Sequence, residues 1–453
     1  MIDIDRRTIL VSATALVGCN SLPQVTTNKA DHIWRSAQMV AANVRQPTIP
    51  RQVQTINTVN LTQGSDIRGV VADTIDQMVV AGGGRVIIPP GNWLVNGPIH
   101  LQSGIDLHVS EGATLRFGTN PADYLPVVLT RWEGTDVYNY SPLIYARKAN
   151  DVAITGTGRI DGQGRKGFFR WRPEQKPSQS RLRQMGATGV PIEERIFGEG
   201  YLLRPGFVQF HECERVLVDG PTFVDPTFWM IHPVYCNHVT IRNVTLRGTQ
   251  LNSDGIDPDS CEDVLIENCT FDVNDDCVAI KSGRDADGRR VGRPTRRVLV
   301  RNCDMRTQTA AGVGIGSEMS GGASDIFAEN LRISRADYAL YFKANKDRGG
   351  VVDGVYARNL VVSDCDKLIH LTTDYKKESS GNMPPVFRNF DIAEITCRNA
   401  GTGIEIVGLP EMPVKKIALS NIAITSATRA AIIEYADEIQ ATNVMINGKA
   451  WQP

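Results

Sequence analysis

From residue 84 onward the apolar residues come in short β-branched runs separated by Gly, Asn and Asp, as in GPIHLQSGIDLHVSEGATLRF and NDVAITGTGRIDGQG, a pattern of strands and tight turns. Just ahead of it, Ile67, Val70, Val71, Ile75, Met78 and Val79 recur at helical spacing and stop at Gly82-Gly83-Gly84. After Gly220, asparagines recur at 243, 268, 302, 330, 359, 389, 421 and 443, with gaps of 25, 34, 28, 29, 30, 32 and 22 residues. A constant minimum with variable excess is what a solenoid with loop insertions produces, and asparagine suits its turns because it tolerates left-handed backbone. The predicted fold is all-β: a right-handed parallel β-helix whose open amino end is covered by the helix at 67–79.

The stretch NSDGIDPDSCEDVLIENCTFDVNDDCVAIK, residues 252–281, holds two successive coils. Aligning them on Ile256 and Val278 puts Asp254 over Asp276, and stacked neighbours in parallel strands lie ~4.8 Å apart. Asp275 adds a third carboxylate. Carrying the alignment through Val313 and Leu340 gives an outward column of Asp259, Lys281, Gly316 and Lys343.

The amino end changes the picture. Arg6 and Arg7 precede a short apolar segment, Ile9 to Val17, too short to cross a membrane and suited to an export signal. Leu16-Val17-Gly18-Cys19 resembles a lipoprotein box, which makes Cys19 the lipidation site and predicts an exported, periplasmic or outer-membrane-anchored bacterial lipoprotein. The chain therefore divides into an export signal (1–18), a tether and amino-terminal segment with a short helix at 33–44 (19–62), and one β-helix domain including its cap (63–453). With 49 basic and 50 acidic residues, nothing points to nucleic acid, and the membrane is met only through the anchor. A monomer is expected. Cys269 and Cys303 follow the marker asparagines, so the remaining cysteines read as stacked, buried free thiols rather than disulfides.

Three insertions break the coil period: 164–203, rich in Arg and Trp; 282–297, SGRDADGRRVGRPTRR; and 373–385, DYKKESSGNMPP. Solenoid insertions tend to crowd one face and build its cleft. Three carboxylates within one coil's height cannot all ionise freely, so one should hold a proton, which equips the site for glycosidic hydrolysis. Asp257 and Asp259 read as turn formers, calcium is the competing explanation of the trio, and no metal or other cofactor is assigned. Lys343 is expected in the same cleft, and Trp229, Tyr338 and Tyr341 are aromatic enough to stack on sugar rings.

These residues resemble glycoside hydrolase family twenty-eight, the polygalacturonases, in its bacterial branch, from about Gly82 to the end. Asn252-Ser253-Asp254 is similar to the family's asparagine-x-aspartate motif and Asp275-Asp276 to its aspartate pair, and FWMIHPVYC, IKSGRDADGRRVG, IGSEMSGG and KANKDRGG resemble bacterial members. The resemblance implies that Asp275 is the general acid, that Asp254 and Asp276 activate water in an inverting displacement, and that the substrate is a pectic, uronate-containing polysaccharide. Lys343, Tyr341, Lys281, Arg284 and His232 are the expected substrate-binding residues. Two departures stand out. The family histidine falls on Ala310 and the arginine of its arginine-x-lysine motif on Tyr341, so the bidentate carboxylate clamp is missing. A rhamnogalacturonan or other acidic or deoxy-sugar glycan is the alternative substrate, and a non-catalytic carbohydrate-binding protein the alternative class. A lyase on this fold would need an arginine or lysine base.

Overall fold

The computed structural model describes residues 29–377 and 381–453. The export signal and Cys19 lie outside the described residues. The chain winds as a parallel β-helix, as the spacing predicts. One column of inward side chains runs Val152, Val216, Val239, Val264, Val298, Ile326, Val355, Phe390, Ile417 and Ile439. A second runs Ile231, Ile256, Val278, Val313, Leu340, Ile369 and Ile404, which is the register that the alignment on Ile256 and Val278 requires. Each coil alone would leave its apolar face wet. Stacking removes it, at about 1.5–3 kcal/mol for each side chain fully buried.

The marker asparagines hold the corners. All eight take left-handed backbone, with φ between 53° and 61°, where most side chains are strained. Several also form a ladder: Asn330 Nδ2 donates to Asn302 Oδ1 at 3.1 Å, and Asn359 Nδ2 donates to Asn330 Oδ1 at 2.7 Å. Left-handed tolerance and lateral hydrogen bonding are thus joined in one side chain. The eight cysteines among the described residues are buried and free, in stacks such as Cys213, Cys236 and Cys261.

Both helices expected near the amino end form. Helix α1, Lys29–Asn43, lies along the flank of the solenoid with Ile33, Ala37 and Val40 against Leu265, Leu299 and Phe327. Helix α2, Arg68–Val80, buries Val71, Ile75 and Met78 over the first coil and is the cap. Asp66 Oδ1 accepts the Arg68 N–H at its start, and Gly84 has positive φ at a point where a Cβ would strike Met78 and the Gln52 carbonyl. The segment before residue 63 is more than a tether: Val53–Thr55 pairs with Gly84–Ile88, and Thr48 N–H is bound by Asp151. Two further helices, α3 (Lys176–Ala187) and α4 (Asp285–Val291), sit in the first two insertions.

The asparagine ladder yields a graded expectation. Asn330→Ala should cost about 1–2 kcal/mol through left-handed strain alone, with the lost ladder bonds added, while Asn330→Gly should lose only the ladder. Denaturant unfolding measures both, and equal losses would show that backbone conformation is not what the asparagine supplies.

Candidate active site

The aspartate coils stack as aligned. Gly255 N–H donates to the Asp276 carbonyl at 2.9 Å and Met230 N–H to that of Asp254 at 2.9 Å, so backbone pairing alone sets the two carboxylates side by side. Oxygens of Asp254, Asp275 and Asp276 all lie within 4.8 Å of one another. Asp276 is the most firmly held: Oδ1 accepts Ala311 N–H at 2.9 Å, and Oδ2 meets Lys343 Nζ at 2.9 Å. Asp275 takes the Asp276 N–H on Oδ1 at 3.0 Å and the Asn252 amide on Oδ2 at 3.5 Å. On Asp254, Oδ2 faces Lys281 Nζ at 3.5 Å while Oδ1 is buried without a hydrogen-bond partner among the described residues.

Lys281 is the hub beneath them. Its ammonium lies 3.5, 3.4 and 3.6 Å from Asp254, Asp257 and Glu318, and 4.2 Å from the centre of the Trp229 ring. Burial, then the neighbouring Asp275 and Asp257, push the Asp254 carboxyl well above its usual range. Burial and Asp276 do the same to Asp275. Burial alone would lower Lys343, yet the adjoining Asp276 carboxylate holds its ammonium above the ordinary value. Glu318 goes the other way: burial would raise it, but Lys281, Arg284 and Arg348 bring it down. The three-carboxylate grouping has the spacing of a cation site, and here two ammonium groups already answer its charge.

Above this floor is a cavity of about 340 Å³. Asp254, Asp275, Asp276, Lys281, Arg284 and Lys343 all line it, together with Trp229. Its walls come from the three insertions: Lys176 and Arg183 from the first, Arg284 and Asp285 from the second, Tyr375 and Lys376 from the third. Asn252 and Gly316 line it as well, and several further lining residues were missed by sequence reasoning. Glu133 stands at the turn of the hairpin Val128–Trp132 and Thr135–Asn139 and is bound by Arg183 at 2.6 Å. Glu318 and Arg348 fall within IGSEMSGG and KANKDRGG, which drew notice as wholes without a role for either residue.

Other expectations need correction. His232 does not reach the cavity: it is buried below it, with Nδ1 accepting from Gln209 Nε2 at 2.9 Å, Nε2 facing Asp259 at 3.5 Å, and its ring against the edge of Trp229. Tyr341 is likewise not in the wall. Its ring packs in a triangle with Tyr338, at 3.9 Å, and His370, at 4.9 Å, which lie 5.5 Å from each other, with Lys343 Nζ 4.5 Å from its centre. Burial, with Lys367 nearby, brings His370 down to about 4, so at ordinary pH it is a neutral member of that stack. Asp257 and Asp259 are not turn formers. Both are fully buried; Asp257 faces Lys281, and Asp259 meets Arg131 at 3.3 Å. Ala310 and Ala311 are both buried, so neither position supplies an imidazole.

Residues 198–444 match the model for glycosyl hydrolases family 28. A solved exopolygalacturonase from Thermotoga maritima is 36% identical, over 92% of this chain and 96% of that one, with a TM-score of 0.87. The chain belongs to glycosyl hydrolase family 28. It is a glycoside hydrolase. Among family 28 relatives, a probable polygalacturonase of Vitis vinifera is 27% identical over 77% of this chain and 68% of its own. An endo-polygalacturonase of Pectobacterium parmentieri is 26% identical over 84% of this chain and 89% of its own. The relatives thus include both exo- and endo-acting proteins, and the mode of action has to be argued from the cavity.

Proposed function

We propose that this protein is an exported, chain-end-acting hydrolase of pectic, uronate-containing polysaccharide that works with inversion. The observation that carries the reading is the division of labour among three carboxylates that line one cavity. Asp254 and Asp276 are anchored on adjacent coils by Lys281 and Lys343, while Asp275, with two weaker donors and a raised affinity for its proton, faces the same space. In this reading Asp275 gives its proton to the glycosidic oxygen as the C–O bond breaks, and the bond's electron pair stays on that oxygen. Water attacks the anomeric carbon from the opposite side and passes its proton to the Asp254–Asp276 pair. The free Oδ1 of Asp254 is the acceptor available to that water.

Chain-end action is supported by the walls. At about 340 Å³ the cavity sits at the lower end of ligand pockets, roughly 300–1,000 Å³. With Lys176 and Arg183 of the first insertion and Glu133 of the hairpin forming part of its wall, it suits the terminus of a glycan better than an extended chain. The uronate is supported by Lys176, Arg284 and Lys376 on those walls and by the family relatives' named activities. Export and anchoring through Cys19 rest on the amino-terminal pattern, Arg6-Arg7 and Leu16-Val17-Gly18-Cys19.

A second substrate reading has its own observation. Where an arginine would clamp a carboxylate, Tyr341 is locked in an aromatic stack, so the sugar beside Lys343 meets one ammonium and no bidentate fork. That favours a neutral or deoxy sugar next to the scissile bond, as in rhamnogalacturonan.

Two experiments test these readings. Asp275→Asn should keep its melting curve and lose activity by about 10²–10⁴-fold, the usual worth of a positioned acid; on polygalacturonate the wild type should release small products while viscosity falls slowly. Normal turnover of the variant would remove Asp275 from its role, and a rapid viscosity drop would show internal cutting. Tyr341→Arg should raise turnover on polygalacturonate relative to rhamnogalacturonan; a gain on the latter instead would reject the clamp explanation.

A further inference from the structure

Arg204 follows the first insertion and is fully buried, yet no carboxylate among the described residues lies within ion-pair distance of it. Its guanidinium is caged by neutral acceptors: Nε donates to Gln175 Oε1 at 2.8 Å, Nη1 to the carbonyls of Thr227 and Leu251 at 3.3 and 3.2 Å, and Nη2 to Asn252 Oδ1 at 2.8 Å. Phe228 covers one face at 4.7 Å. A buried cation without an ion-pair partner is costly, so its place calls for an explanation.

The chemistry of the two side chains supplies one. A guanidinium can only donate, so the Asn252 side chain must turn its carbonyl oxygen toward Arg204, and its NH₂ is then forced to the other side. On that side lies Asp275 Oδ2, 3.5 Å from Nδ2. Asn252 is itself held in left-handed backbone, φ 63°, which asparagine tolerates. Without the guanidinium the amide is free to flip and present an oxygen to the carboxyl.

We propose that Arg204 is a positioning residue that orients Asn252, so that the amide N–H receives the carboxylate formed when Asp275 gives up its proton. The inference rests on Asp275 being the acid. As the glycosidic bond breaks and its oxygen takes the proton, negative charge develops on Asp275, and Asn252 at Oδ2 and the Asp276 N–H at Oδ1 are the donors in place to meet it. Such fixed donors stabilise a charge without reorganising when it forms. The charged groups acting on Asp275 are Asp276, Asp254 and Asp257, which oppose its ionisation, and Lys343, Lys281 and the charge of Arg204 itself, which favour it and which Arg204→Lys retains. The others stay in place when Asn252 or Arg204 is changed.

A double-mutant cycle on kcat as a function of pH tests this in the full protein, each variant assayed well below its melting midpoint. Asn252→Ala and Arg204→Lys should each lower kcat on oligogalacturonide about tenfold with little change in KM. Turnover requires protonated Asp275, so activity falls as pH rises through its pKa. Loss of a donor to the carboxylate raises that pKa, and the alkaline limb should move to higher pH in both variants. Because Arg204 acts through Asn252, the double variant should lose no more than Asn252→Ala alone. Losses that multiply to about a hundredfold, or an alkaline limb that stays put, would overturn the proposal. If Arg204→Lys does not fold, Arg204→Gln takes its place in the cycle, and an alkaline limb unmoved in it but moved in Asn252→Ala would overturn the role of Arg204. An Asp275→Asn variant with a normal alkaline limb would instead overturn the assignment of the acid beneath it.

Discussion

One ammonium group, that of Lys281, lies among three buried carboxylates, and the arrangement of the cleft depends on it. Taking charges out of water costs several kcal/mol per ion, offset only where opposite charges and hydrogen bonds are well placed. The parallel register delivers that placement. It sets Asp259 beside Lys281 across one coil boundary, Lys281 beside Gly316 across the next, and Gly316 beside Lys343 across a third, so the two lysines stand two coils apart in one column. Gly316 lacks the side chain that would stand between the two lysines. A slip of one residue in a single coil would turn the carboxylates inward and leave the lysines unpaired.

Because the pairing is set by backbone, the carboxylates and lysines of the floor are placed by the coils themselves, as fixed dipoles and charges must be to act without reorganisation. The roof is built differently. It comes from insertions and a hairpin that obey no coil period, and it is tied down by ion pairs such as Arg183 with Glu133 and Arg284 with Glu318. In the proposed reading the fold divides the work accordingly: coils hold the chemistry, and insertions select what part of a glycan reaches it.

The floor was legible in the sequence and the roof largely was not. Ile256, Val278, Val313 and Leu340 are β-branched or apolar at one position per coil, and that suffices to align Asp254 with Asp276 and Lys281 with Lys343. The marker asparagines were legible because their left-handed conformation is a property of the residue itself. Arg204 and Glu133 gave no signal, since nothing in an aperiodic loop says which way it folds back. Tyr341 and His232 were misjudged for another reason. Alternation along a strand says which face a side chain leaves from, but Tyr341 is turned aside by its neighbours Tyr338 and His370, and His232 lies under Trp229. Asp257 and Asp259 looked like turn residues by composition; only their partners, Lys281 and Arg131, reveal buried charges.

The central claim is that the stacked pair Asp254 and Asp276 grips one water while Asp275 acts alone as the acid. Two carboxyl groups only ~5 Å apart would ordinarily suggest a nucleophile and retention, whereas inverting enzymes leave roughly 6.5–9.5 Å for a water between acid and base. The three-carboxylate arrangement escapes that rule if both members of the close pair are bases. Proton NMR of the released reducing end within the first minutes of hydrolysis measures this directly. The account predicts a first-formed sugar of opposite anomeric configuration to the bond cleaved, with mutarotation following; a retained anomer would make one of the stacked aspartates a nucleophile and contradict it.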